Sequence, residues 1–148
     1  MVFRHDDTPN RATLGHAVAA LCRARHLALT VAGDARLAAA LRAGPHLRGK
    51  ERPPRWRLHG PVTAAVHDMA QLRHARRAGA GLLFISPVFP TKSHPGGRNL
   101  TVTGWRRLAR QAGATANPYA LGGINGANIR RLGRTCAGAG AIGAFTPA

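Results

Sequence analysis

The sequence predicts an α/β protein made of βα units around a parallel sheet, and three observations predict it. Short apolar, β-leaning runs recur along the chain, among them "LALTVAG" (27–33), "VTAAV" (62–66) and "GLLFI" (81–85). Longer Ala-, Leu- and Arg-rich segments of helical period separate them. No linker, low-complexity block or long charge run interrupts the 148 residues, so a single domain spanning 1–148 is expected.

Taken in order, the run "MVF" leads into Arg4-His5-Asp6-Asp7. In "RATLGHAVAALCRARH" (11–26), Leu14, Ala17, Val18, Leu21 and Cys22 fall on one helical face. Strand 27–33 precedes a helix "ARLAAALRAG" (35–44) and a brief strand near His46-Leu47. The Pro- and Arg-rich segment "KERPPRWRLHGP" (50–61) reads as a surface excursion. Strand 62–66, helix "MAQLRHARRAG" (69–79) and strand 81–85 follow, and the last feeds the loop "SPVFPTKSHPGG" (86–97). A helix "TVTGWRRLARQAG" (101–113) and a strand "YALGGI" (119–124) come next. A helix is expected over "NGANIRRLGRTCAG" (125–138), starting near an Asn cap, and a last strand over "AGAIGAF" (139–145). About seven strands in this alternation suit both a (β/α)8 barrel and an open doubly wound sheet. A complete barrel usually takes at least roughly 200 residues.

Charge narrows the partners less than it first suggests. The 22 Lys and Arg against five carboxylates give a formal charge of +17, which favours anionic ligands. The bases are nearly all Arg and are scattered along Ala-rich helices, as a GC-rich coding bias would leave them. Aromatics make up 5% and no nucleic-acid-binding motif is present, so nucleic acid is not an expected partner. Cys22 and Cys136, without a partner motif, read as buried free thiols in a reducing compartment. With no apolar leader and no membrane-length stretch, a soluble cytoplasmic protein is expected.

In either architecture ligands meet the loops at the C-terminal strand ends. Lys92, Thr91, Ser93 and His94 offer charge-assisted bonds to a phosphate or pyrophosphate, or form a plain solvated loop. Gly122-Gly123, with Gly143-Ala144 on the last strand, suit a phosphate cradle of backbone amides, or merely permit a tight turn. His67 is placed to act as an acid–base group at the mouth, while His46 reads equally as a packed histidine beside the sheet. No metal-ligand spacing, nucleophile elbow or P-loop appears.

The order of these pieces resembles the thiamine phosphate synthase/TenI family. The family's "GPVFPT-K" loop is similar to 86–94, its "A-GGI…N" turn to 120–128, and its "G-H-G" segment to "GPHLRG" (44–49). Its "DLA", "GA-GVA" and "LRE" landmarks resemble 35–38, 139–145 and 3–5. The resemblance implies a TIM (β/α)8-type barrel, incomplete here, with the first βα unit and the last helix missing. A start upstream, or a homodimer covering the seam, is expected from that. The implied activity joins a pyrimidine pyrophosphate to a thiazole phosphate with release of pyrophosphate, assisted by Mg²⁺. Carried over by position, Arg4 falls at the pyrophosphate-facing arginine, Thr91 and Ser93 at loop hydroxyls, and Gly122-Gly123 at thiazole-phosphate amides. Lys92 and His94 stand where the family uses other groups, and with Arg4 and His67 they are the candidate catalytic residues.

The same resemblance marks departures. The family's Asn-Asp pair falls on Ala32-Gly33 with Asp34 one step beyond, and its second metal-binding Asp falls on Glu51 or a near neighbour in the Pro- and Arg-rich excursion. Asp34 and Glu51 are therefore the candidate metal ligands, although Mg²⁺ favours more carboxylate oxygens than this chain offers. The serine before the mouth histidine is Ala65, the lysine after the loop hydroxyls is His94, and the "REK" lysine is Asp6. Alternatives to the synthase are a TenI-like, metal-independent thiazole tautomerase and a non-catalytic binder of phosphorylated ligands.

Overall fold

Seven parallel strands follow one another across a single sheet in chain order. The computed structural model describes residues 1–56, 59–91 and 96–140. The strands are β1 (Val2–Phe3), β2 (Thr30–Ala32), β3 (Gly44–Leu47), β4 (Thr63–Val66), β5 (Leu82–Ile85), β6 (Asn117–Ala120) and β7 (Gly138–Ala139). The helices are α1 (Arg11–Ala24), α2 (Ala35–Ala40), α3 (Met69–Arg77) and α4 (Thr101–Ala112), with 3-10 turns at Gly113–Thr115 and Ile129–Leu132. A doubly wound sheet reverses its strand order at a switch point. This order never reverses, so the open alternative falls away and the strands form a curled half-barrel.

The two faces of the sheet differ in chemistry. Residues at one parity, including Leu47, Ala64, Val66, Leu83, Ile85 and Ala120, are buried in one cluster with α3 and α4, to which α4 contributes the fully buried Trp105. A second cluster joins Phe3 and Val31 to Cys22 of α1 and Leu37 of α2. The other parity carries Thr30, His46, Thr63, Ala65, Phe84 and Tyr119. His46 and Phe84 meet with ring centroids 5.8 Å apart although β4 lies between their strands. Backbones two strands apart are separated by about 9.6 Å, twice the interstrand spacing, so the rings converge on a concave face above the small Ala65.

The helices form where apolar spacing and caps agree. In α4, Trp105, Leu108, Ala109 and Ala112 recur at helical spacing and all are buried. Asp68 Oδ1 accepts the Gln71 amide at 2.7 Å and so caps α3. Asp68→Ala is expected to lower stability by about 1 kcal/mol in a urea titration; an unchanged midpoint would mean that the cap contributes nothing.

Several sequence expectations change: the strand expected over 27–33 is confined to Thr30–Ala32, and the helix expected over 35–44 ends at Ala40, with Gly44 already in β3. The buried stripe of α1 is Gly15, Ala19 and Cys22, flanked by Leu14 and Val18, whereas Leu21 is 56% exposed and Ala17 is exposed. Of the two thiols, Cys22 is buried and Cys136 only half-buried. The helix expected over 125–138 is reduced to the turn Ile129–Leu132. There Asn125 Oδ1 accepts the amides of Ala127 and Asn128, and Gly133 adopts a left-handed φ of 72°. These local side-chain bonds compete with the helical ladder. Strand "YALGGI" starts earlier, at Asn117, and ends at Ala120, because Gly122 and Gly123 turn left-handed.

Candidate functional site

The carboxyl ends of the strands bring three groups of side chains to one rim. The first is the turn after β6. Gly122 and Gly123 adopt φ of 90° and 64°, conformations that glycine reaches without strain. The Val88 amide donates to the Leu121 carbonyl at 3.1 Å, and the Phe89 amide donates to the Gly122 carbonyl at 3.2 Å. The 87–90 segment thereby lies flat on the glycine turn. A β-carbon at Gly122 would stand 2.7 Å from Pro87 Cα, and one at Gly123 would fall on the Pro90 carbonyl oxygen. Both glycines are needed for this close approach, not only for the bend. The amides of Gly122, Gly123 and Ile124 donate to no acceptor among the described residues. These three consecutive amides are therefore left available to an acceptor from outside the described residues.

Thr91 continues this loop and is half-buried. Lys92, Ser93 and His94 of the same loop, and Gly143 and Ala144 of the last strand, lie outside the described residues.

The second group is His67 after β4. Its Nδ1–H donates to the Ser86 carbonyl at 2.7 Å, tying the ends of β4 and β5 together. That bond places the ring proton on Nδ1, so Nε2 is the nitrogen that can accept a proton. Gln71 Oε1 accepts the His67 amide at 3.0 Å and fixes the backbone beneath the ring.

The third group lies at the ends of β1, β2 and β3, and sequence reading missed its organisation. Arg48 Nη1 donates to Asp6 at 2.6 Å and Arg48 Nε donates to Glu51 at 3.3 Å. Arg11 pairs with Asp6 at 3.2 Å and with Asp34 at 3.5 Å, and donates to the Ala32 carbonyl at 2.6 Å. Asp34 also caps α2 by accepting the Leu37 amide at 2.9 Å. Burial acts to lower the pKa of Arg48, but Glu51 and Asp6 outweigh it and raise the value above that of an ordinary arginine. Arg4, at the end of β1, is exposed, and its side chain pairs with no group among the described residues. A cleft of about 280 Å³ opens beside the network between Gly33, Asp34, His46, Glu51 and Arg52.

The network decides the fit of a divalent ion. Mg²⁺ asks for free carboxylate oxygens in near-octahedral array. Asp34 and Glu51, the candidate ligands, are instead engaged by guanidinium groups and backbone amides. A β-carbon at Gly33 would fall on Arg48 Nη2, so the guanidinium fills the space that a ligand side chain at 33 would need. No metal-binding cluster of His, Cys, Asp and Glu forms among the described residues. The residues present do not fit the ion.

Beneath the rim, His46 is 4% exposed. Thr63 Oγ1 donates to Thr30 Oγ1 at 3.3 Å, which makes it the acceptor of His46 Nδ1–H at 2.9 Å. Burial, then the charges of Arg4 and Arg48, lowers the His46 pKa to about 4. His46 is therefore a neutral, packed histidine at neutral pH. The sequence signal for Arg48 was its place two residues after His46 and three before Glu51, but a lone arginine in a basic chain does not stand out.

Comparison with known proteins gives the chain its relatives. The family described as thiamine monophosphate synthase matches residues 2–144. The chain is 30% identical over 118 residues to a thiamine-phosphate synthase of Geobacillus kaustophilus, covering 76% of this chain and 53% of that protein. The thiamine-phosphate synthase of Geobacillus thermodenitrificans is 29% identical over the same length and with the same coverage. The chain thus spans about half the length of the curated relatives it matches. Among solved structures, thiamine phosphate pyrophosphorylase from Pyrococcus furiosus superposes with a TM-score of 0.77 at 24% identity. That match covers 97% of this chain and 72% of the other, a likeness of fold.

Proposed function

The chain belongs to the thiamine monophosphate synthase family, and from that premise we propose that it is a thiamine phosphate synthase-like transferase. Its substrates are a pyrimidine pyrophosphate and a thiazole phosphate. The bond from the pyrimidine methylene carbon to the pyrophosphate oxygen breaks, and pyrophosphate leaves with the electron pair. The thiazole ring nitrogen then supplies the pair that forms the new carbon–nitrogen bond.

The observation that carries this reading is the cradle of acceptor-free amides at Gly122, Gly123 and Ile124, pressed against the 87–90 segment. Amides fixed in place hold a phosphate without reorganising, which positions the thiazole for in-line capture. Arg4, with no carboxylate partner among the described residues, is the side chain assigned to the leaving group. Thr91 and, outside the described residues, Lys92, Ser93, His94, Gly143 and Ala144 complete the proposed site.

The second reading is a metal-independent thiazole tautomerase. Paired carboxylates and the available Nε2 of His67 favour it, since that reaction needs a phosphate grip and one acid–base group.

Calorimetry with thiazole phosphate, followed by a turnover assay with both substrates, tests the proposal. Binding followed by stoichiometric thiamine phosphate and pyrophosphate supports the transferase. Binding with only proton exchange on the thiazole moves the assignment to the tautomerase. Absence of thiazole phosphate binding removes both.

A further inference from the structure

Three carboxylates, Asp6, Asp34 and Glu51, converge from the ends of β1, β2 and β3, and two guanidinium groups lie among them. Such a gathering of negative charge requires a cation, and Arg48 sits at its centre, between Asp6 and Glu51 and over the bare backbone of Gly33. Two of its three nitrogens are bonded, while Nη2 has no partner among the described residues. Arg4 lies at the end of β1, two strands from Arg48 at the end of β3, and its side chain too is unpaired among the described residues.

We infer that Arg48 is the resident cation of this site, and that with Arg4 it holds an oligophosphate anion without a divalent metal. This rests on the transferase reading for the identity of the anion, pyrophosphate, but assigns its charge compensation to a different group. Asp6 and Glu51 are then positioning residues. They hold Nε and Nη1 and so fix the guanidinium plane, leaving Nη2, which lies against Gly33 at the edge of the cleft, as the unbonded donor. Gly33 is the permissive half of the arrangement, since any side chain there would displace the guanidinium. A guanidinium edge supplies directed N–H bonds to phosphate oxygens, whereas a metal supplies a point charge that also draws water.

Titration calorimetry of the intact chain with pyrophosphate, once in EDTA and once in excess Mg²⁺, tests this. The expected result is the same affinity in both buffers to within about twofold, with Arg48→Ala binding about tenfold or more weakly in each. Arg48→Lys is expected to recover only part of the loss, because one ammonium cannot reproduce the forked donors. Water-proton relaxation with Mn²⁺ gives a readout independent of activity. The native chain is expected to show no bound Mn²⁺, and the double variant Gly33→Asp/Arg48→Gly to gain it, aspartate being tolerated at left-handed φ.

Pyrophosphate binding by the native chain only in Mg²⁺, or Mn²⁺ bound by the native chain, overturns the inference and leaves the transferase reading standing. A folded double variant that binds no Mn²⁺ overturns the claim that Arg48 takes a metal's place. Binding of thiazole phosphate but never of pyrophosphate also overturns it, and moves the wider assignment to the tautomerase. Should the double variant fail to fold, the native chain in the two buffers still decides.

Discussion

Gly123→Val is expected to abolish most thiazole phosphate binding, with a loss of about a hundredfold. The magnitude follows from the cradle. Each hydrogen bond to a charged oxygen is worth about 1.5–3 kcal/mol, and moving two amides out of line removes about 3 kcal/mol, or two powers of ten. The movement is forced, because the new β-carbon falls on the Pro90 carbonyl oxygen and the φ of 64° strains a β-branched residue. Gly126→Ala supplies the control. Nothing lies within 4 Å of a β-carbon at Gly126, and its affinity should match the native value. A thermal melt of Gly123→Val separates local displacement from unfolding. Native-like affinity in a folded Gly123→Val chain would remove the phosphate site from this turn.

Acid titration of stability is expected to show a loss on the order of 3 kcal/mol between pH 6.5 and 4 that belongs to His46. The sign follows from the lowered pKa. Unfolded, the imidazole binds a proton below its ordinary value of 6.5; folded, it resists until about 4. The unfolded state therefore binds more protons throughout that window, and stability falls as pH falls, by at most about 1.4 kcal/mol per pH unit. Above pH 6.5 the contribution is complete and constant. His46→Gln keeps a side-chain amide able to bond Thr63 but removes the titration, so urea titrations of native and variant chains across this range isolate the effect. Parallel native and variant curves would show that the ring is protonated in the folded protein despite its burial.

The legible parts of the chain were those governed by local chemistry. Apolar runs 62–66 and 81–85 became β4 and β5 nearly unaltered, and the helical spacing of Trp105, Leu108 and Ala112 became the buried face of α4. The glycine pair was legible as a tight turn after a strand, since residue type alone announces a left-handed backbone. The α1 face was misplaced by a fraction of a turn because Ala-rich helices offer several nearly equivalent stripes. The helix after Asn125 was lost to side-chain bonds that span only two or three residues.

Nothing local announced the charge network. Arg48 is 42 residues from Asp6 and Arg11 is 21 from Ala32, and each looked like one more base in a chain of +17. The order of strands, likewise, distinguishes a barrel arc from a doubly wound sheet only once the strands are paired. The sequence by itself determined the alternation of strand and helix, the family, and the loop and glycine turn where a phosphate is expected, because these depend on residue type and short-range spacing. Only the tertiary structure decided that the carboxylates near the mouth are taken by arginine. A side chain's free or paired state depends on what the fold brings within 3–4 Å of it, and sequence distance does not carry that information.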